Sequence, residues 1–353
     1  MPDSFELLYR RLEDDPSKKP RFISLAQNRV SYMQYLQNCV HALHDISRAE
    51  VVVLSDASDL VSCIKMRSET KAVQLWHACG AFKKWGMSTA DLKFGGSRED
   101  LLRHPFYKNL SLVTVSSPEV VWAYEEAMVL KDQPGVVQPI GVSRTDKFFD
   151  PVFLEEARQH VMDAVPQIAG KKVILYAPTF RGRVASAKGP DQLDIDLMRR
   201  RLGKEYVLLI KHHPFVKELP AIPDLCKDFA FQVSGDLPID ELLVVADVCV
   251  SDYSSLVFEY SLLGRPMIFY AYDLGDYDDW RGFYYDYNEL TPGPVFEDSE
   301  AVVDWIKHIA ERFDAEEVDA FRLKFMGSCD GHSTDRVYRW LLDETRRPQE
   351  DRG

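Results

Sequence analysis

Val250–Tyr260 reads VSDYSSLVFEY, an apolar run, then a polar turn, then apolar residues at helical spacing. A strand that enters a helix through such a turn brings the helix's first backbone N–H groups, and the positive end of its dipole, to the strand's end. An anion is accommodated there, a phosphate above all. Ser254 and Ser255 add hydroxyls that can cap and coordinate, and Asp252 is placed to fix the turn. An ordinary helix start has the same composition, so the surroundings decide.

Those surroundings repeat the pattern. Apolar runs bounded by polar, Gly or Pro residues occur at Arg21–Leu25, Val51–Ser55, Ala72–Trp76, Leu110–Ser116 and Val137–Ile140. A second set follows at Val173–Tyr176, Tyr206–Ile210, Phe229–Val233, Val248–Ser251 and Met267–Tyr270. Helical patterns lie between them and at Ser299–Arg312, Glu316–Phe325 and Thr334–Thr345. Strands alternating with helices predict an α/β fold with mostly parallel sheets. Ile140–Phe153 breaks both periodicities and reads as a linker. The expected division is residues 1–150, residues 151–330, and a C-terminal helix and tail over 331–353. Two such halves would bind ligands in a cleft at the C-terminal edges of their sheets.

Composition narrows the class. The chain has 353 residues, 46% hydrophobic and 28% charged, as in a globular protein. No apolar run approaches the roughly 18 residues of a membrane span, and the N-terminus lacks a signal-peptide pattern. The six cysteines include no C-x-x-C pair, which argues for reduced thiols, a cytoplasmic setting and no structural zinc. A net charge of −13 argues against a nucleic-acid partner.

The residues that follow the strands carry the chemistry. Lys211-His212-His213-Pro214 can neutralise a phosphate, and strand alternation favours His213 over His212 for that work. Thr179 and Arg181 in YAPTFRGR offer a hydroxyl and a planar fork suited to phosphate. In QLWHACGAFKKWG, His77 enters a turn of small residues ending at Gly80, where a substrate can approach. A histidine there is either a general base or a core residue bonded to a carbonyl. Lys83 and Lys84 are read onto a following helix, and Cys79 has no identifiable orienting group for a nucleophile. The acidic run Asp273–Asp279 reads as a solvated loop, with a divalent cation as the alternative.

Taken in order, QLWHACGAFKKWG, SRTD (Ser143–Asp146), YAPTFRG, KHHP, DELLVVADVCVSDYSSLVFEYSLLGRPMIFY, RGFY (Arg281–Tyr284) and Asp330-Gly331 resemble the CDP-glycerol glycerophosphotransferase family of teichoic acid synthesis. The match runs from about residue 70 to residue 331, and the region before it matches poorly. The resemblance implies a GT-B-like architecture of two Rossmann-like domains, the second holding the nucleotide. It implies transfer of a polyol phosphate, glycerol phosphate first, from CDP-glycerol or CDP-ribitol to an acceptor hydroxyl, with release of CMP. His77 then matches the base, with His213 beside it in the catalytic set. Arg144, Thr179, Arg181, Lys211, Ser254, Ser255 and Glu259 match the donor-binding set, Glu259 on the ribose side. No tightly bound cofactor is implied. The acceptor would be a lipid-linked saccharide, a polymer or a glycan, with peripheral contact at the cytoplasmic face of a membrane. Where many members read W-H-G-T-P this chain has Trp76-His77-Ala78-Cys79-Gly80, which leaves the acceptor class open. A glycosyltransferase using a nucleotide sugar and a non-catalytic nucleotide-binding subunit are the rival readings.

Overall fold

Ten short strands, each paired in parallel with its neighbours, make two sheets in the computed structural model, which describes residues 1–25, 30–93, 95–183, 186–235 and 237–346, without the side chains of 278–281 and 346. The first unit comprises Met1–Asp146 and the segment from Phe325 onward, and the second is Lys147–Lys324.

In the first unit β1 (Val51–Leu54), β2 (Lys71–Gln74), β3 (Leu110–Thr114) and β4 (Val137–Gln138) lie in the order β1-β2-β3-β4. The helices Asp3–Glu13 and Ser333–Arg346 pack on this sheet, bringing Leu8, Val337 and Leu341 against Val73, Leu75 and Leu112. In the second unit the strands are β5 (Lys172–Ala177), β6 (Tyr206–Ile210), β7 (Ala230–Gln232), β8 (Val248–Ser251), β9 (Met267–Tyr270) and β10 (Val295–Phe296). Their order is β10-β9-β8-β5-β6-β7. The sheet starts at β5, winds one way through β6 and β7, then reverses through β8, β9 and β10. Every residue of β6, β8 and β9 is buried, as befits parallel strands covered on both faces.

Three sequence expectations change. Arg21–Leu25 is no strand: β1 pairs only with β2, and Phe22, Ile23 and Leu25 instead line a cavity of about 670 Å³ beside the helix Tyr32–Ile46. The acidic run is a helix, Leu274–Arg281, with the Asp273 carbonyl accepting from the Tyr277 N–H. No helix follows Gly80. The chain there is irregular until a short 3-10 turn at Gly86–Thr89, and Gly80 takes a left-handed conformation (φ 63°) of the kind that ends a helix rather than starting one.

Candidate functional site

The reversal between β5 and β8 is where a doubly wound sheet opens a crevice at its carboxyl edge. Two loops picked out in the sequence leave the sheet here, Pro178–Arg181 after β5 and Asp252–Ser255 after β8. Ser251 Oγ donates to the Ala177 carbonyl at 2.7 Å and ties the strand ends together. Asp252, 1% exposed, then joins the loops. Its Oδ1 accepts from the Thr179 and Tyr253 N–H groups at 2.8 and 2.6 Å, and its Oδ2 from Arg181 Nη1 at 2.9 Å. Asp252 thus bonds to both loops through its two carboxylate oxygens.

Arg181 has a different use from the one its fork suggested. Nε and Nη2 donate to the two Asp273 oxygens at 2.6 and 2.9 Å, while Nη1 also reaches the Thr179 carbonyl and Oγ1 at 2.8 and 3.0 Å. The rings of Tyr253, Tyr272 and Tyr277 surround the guanidinium at 5.1–5.4 Å. Burial works against its charge, but Asp252 and Asp273 outweigh that and raise its pKa. The same burial, with Asp273 alongside, pushes the Tyr253 hydroxyl up, so it stays a neutral donor to Asp273 at 2.9 Å. Asp252, Asp273 and Thr179 thus engage Nε, Nη1 and Nη2 of the guanidinium in this structure. Lys211 is committed in the same way, its Nζ donating to the Ser234 carbonyl at 3.0 Å and to those of Val233 and Leu237.

What faces outward is the hydroxyl pair and one imidazole. Ser254 and Ser255 are partly exposed at the start of the helix Leu256–Ser261. Ser255 caps nothing with its side chain, and Ser254 Oγ accepts only a long bond, 3.4 Å, from the Leu256 N–H. Glu259 on this helix is 1% exposed, enclosed by protein rather than presented to a ribose. His213 is half-buried between Phe180 and Phe215, at ring distances of 5.0 and 4.5 Å. Its Nδ1 accepts from the Phe215 N–H at 3.2 Å, which places the neutral ring's proton on Nε2 and makes that atom a donor. His212 turns inward and is 2% exposed, as alternation predicted.

The first unit carries the other locus, at the end of β2. His77 is half-exposed, with Nδ1 3.3 Å from the Ser55 carbonyl and 4.0 Å from an Asp56 oxygen. A carbonyl only accepts, so Nδ1 bears the proton and Nε2 keeps its lone pair, as a general base requires. Arg144 Nη1 donates to the His77 carbonyl at 2.8 Å and pairs with Asp3 at 3.3 Å, so it braces the His77 main chain within its own unit. Gly80 donates its N–H to Ser116 Oγ at 3.1 Å and accepts from the Tyr124 hydroxyl at 3.1 Å. Its left-handed turn needs glycine.

Among the described residues no cluster of three or more His, Cys, Asp or Glu side chains could hold a metal ion. The side chains of Arg281 in RGFY and of Asp278 and Asp279 in the acidic run lie outside the described residues.

The sequence reading missed a third feature. The helix Tyr32–Ile46 exposes Tyr32 (66%), Met33 (65%) and Val40 (64%), with Leu36 and Leu43 on the same side. A signal was there to read: Asp45 is the one Asp, Glu, Lys or Arg among its fifteen residues.

The sequence model of the family described as CDP-glycerol:poly(glycerophosphate) glycerophosphotransferase matches residues 1–343, so the match extends through the region before residue 70 as well. A teichoic acid ribitol-phosphate primase of Bacillus spizizenii is 33% identical over 340 residues, 95% of this chain and 86% of that protein. A teichoic acid poly(ribitol-phosphate) polymerase of the same organism is 36% identical over 353 residues, which is 99% of this chain but only 54% of the polymerase. A teichoic acid glycerol-phosphate primase of Bacillus subtilis is 29% identical over 322 residues, 89% of this chain and 80% of that one. Among solved structures, the wall teichoic acid polymerase TagF aligns with a TM-score of 0.76 at 21% identity, covering 97% of this chain and 86% of that one. A UDP-N-acetylglucosamine 2-epimerase aligns at 0.60 and 12%, covering 98% and 94%. These two likenesses show the GT-B-like α/β fold.

Proposed function

The chain belongs to the CDP-glycerol:poly(glycerophosphate) glycerophosphotransferase family, and from that premise we propose that it transfers a polyol phosphate from a CDP-activated polyol to an acceptor hydroxyl in teichoic-acid-type polymer synthesis. The acceptor oxygen attacks the phosphorus that carries the polyol, and the bond from that phosphorus to the bridging oxygen breaks. CMP leaves with the bridging oxygen, and His77 Nε2 takes the acceptor's proton. Ser254 and Ser255, with the first turn of their helix, hold the pyrophosphate. His213 donates through Nε2 to the departing phosphate. Thr179, Asp252 and Arg181 keep the two loops in register, Lys211 anchors the end of β6, and Arg144 holds His77.

The observation that carries this reading is the Asp252–Ser255 loop at the strand-order reversal, with partly exposed hydroxyls braced from behind by a buried carboxylate. The ribitol-phosphate relatives match at 33% and 36% and the glycerol-phosphate primase at 29%, which makes CDP-ribitol the first donor to test.

The test is CMP release from CDP-ribitol and CDP-glycerol in the presence of lipid-linked saccharide, polymer or soluble glycan acceptors. His77→Asn should lower turnover about 10²–10⁴-fold while calorimetry shows donor affinity within about twofold. Normal turnover in that variant removes His77 as the base. A parent enzyme that releases no CMP with any pair, yet turns over a nucleotide sugar, rejects the reaction itself.

For the acceptor side, we propose that the helix Tyr32–Ile46 lays its apolar side on an anionic membrane surface, where a lipid-linked acceptor would be met. The stretch 17–48 holds five basic residues and one acidic one in a chain of net charge −13, a local reversal that suits anionic headgroups. Among the described residues no helix is long and apolar enough to cross a membrane.

A further inference from the structure

We infer that Trp76, held in a left-handed conformation by Gln74, is a positioning residue that sets the plane of the His77 imidazole. The inference rests on His77 being the base of the proposed transfer.

Trp76 has φ 61°, a region a bulky L-residue enters only when its surroundings impose it. Gln74 is what imposes it. Its side chain is wholly buried; Oε1 accepts from the Trp76 N–H at 3.0 Å and Nε2 donates to the Asp56 carbonyl at 2.9 Å. One amide thus pins both the turn that carries His77 and the loop that faces its Nδ1.

The indole is then trapped by other rings. It stacks on Trp85 at 4.5 Å, and Tyr107 and Tyr124 meet it edge-on at 6.2 and 6.4 Å. The His77 ring lies against this immobile surface at 4.4 Å, inclined by 33°. His77 needs such a support because it is half-exposed and its own tether to the Ser55 carbonyl is long, at 3.3 Å. The charged groups around it are Asp56 on the loop after β1, 4.0 Å from Nδ1, and Arg144, which bonds the His77 carbonyl rather than the ring and pairs with Asp3.

A purely space-filling Trp76 would change stability without changing the balance of kcat against KM, and this separates the two roles. Trp76→Leu should lower kcat for CMP release about tenfold and leave KM for the CDP-polyol within about twofold. Trp76→Phe, which keeps an aromatic surface under the imidazole, should recover most of that kcat, and it decides the matter if the leucine variant does not fold. The His77 ring resonances should also be followed without substrate, by histidine NMR of the full chain, with His77→Asn to assign them; loss of the stacked indole should move them. Unchanged His77 ring resonances in the folded leucine variant overturn the inference. Moved resonances in a protein that never releases CMP uphold it and sink the proposed reaction.

Discussion

His77 and His213 show how little a residue's identity says about its protonation chemistry. Both follow apolar strands, yet one Nδ1 meets a carbonyl and the other a backbone N–H, which leaves an acceptor at Nε2 of His77 and a donor at Nε2 of His213. Arg181 and Lys211 were readable as cations at strand ends, but their partners other than Thr179 lie 22 to 92 positions away and were not. His212 yields a prediction at this scale. Burial alone lowers its pKa, and its Nδ1 has no hydrogen-bond partner among the described residues. The unfolded chain, titrating near 6.5, therefore binds this proton more readily than the folded one. That contribution to stability is full above the unfolded pKa and is lost as pH falls through the folded one. Thermal midpoints should drop as pH falls below about 6.5, and by less in His212→Leu; equal drops would show that this imidazole does not govern acid stability.

At the scale of elements, the strands were legible because a buried parallel strand is a continuous apolar run, and β5, β6, β8 and β9 are such runs. β10 was not, since two residues carry no periodicity, and Arg21–Leu25 misled because an apolar run lining a cavity looks like one entering a sheet. The helix Tyr32–Ile46 was not legible as a surface because an apolar side facing solvent has the same periodicity as one facing a core. Met33→Asp with Val40→Asp alters two exposed positions on that helix and no packed one. Cosedimentation with vesicles containing anionic lipid should fall at least tenfold, while CMP release with a soluble acceptor stays within about twofold of the parent. Undiminished vesicle binding would remove this helix as the contact.

Across the whole molecule, the chain's return after Lys324 supports the first unit. Ser116 Oγ donates to the Phe325 carbonyl at 2.7 Å while accepting the Gly80 N–H at 3.1 Å, so the returning segment and the His77 turn share one hydroxyl. Further on, Asp146 accepts from the Ser333 and Thr334 N–H groups at 3.0 and 2.7 Å, and Val337 is fully buried. Ending the chain after Lys324 would strip these partners and expose Val73, Leu75 and Leu112. The truncated protein should be insoluble or lack the first unit's thermal transition; a soluble product with unchanged His77 resonances would show that the returning segment is dispensable.

Alternating apolar runs and helical patterns, read residue by residue, were enough to determine an α/β protein with parallel sheets, because burial on two faces leaves a local imprint on composition. Ordered motifs were enough to determine its family. Strand order, the reversal that brings Thr179 beside Asp252, the carboxylates that occupy Arg181 and the left-handed Trp76 were decided only by the tertiary structure. Each depends on groups distant along the chain competing for one place in space, and no local stretch of sequence records which of them wins.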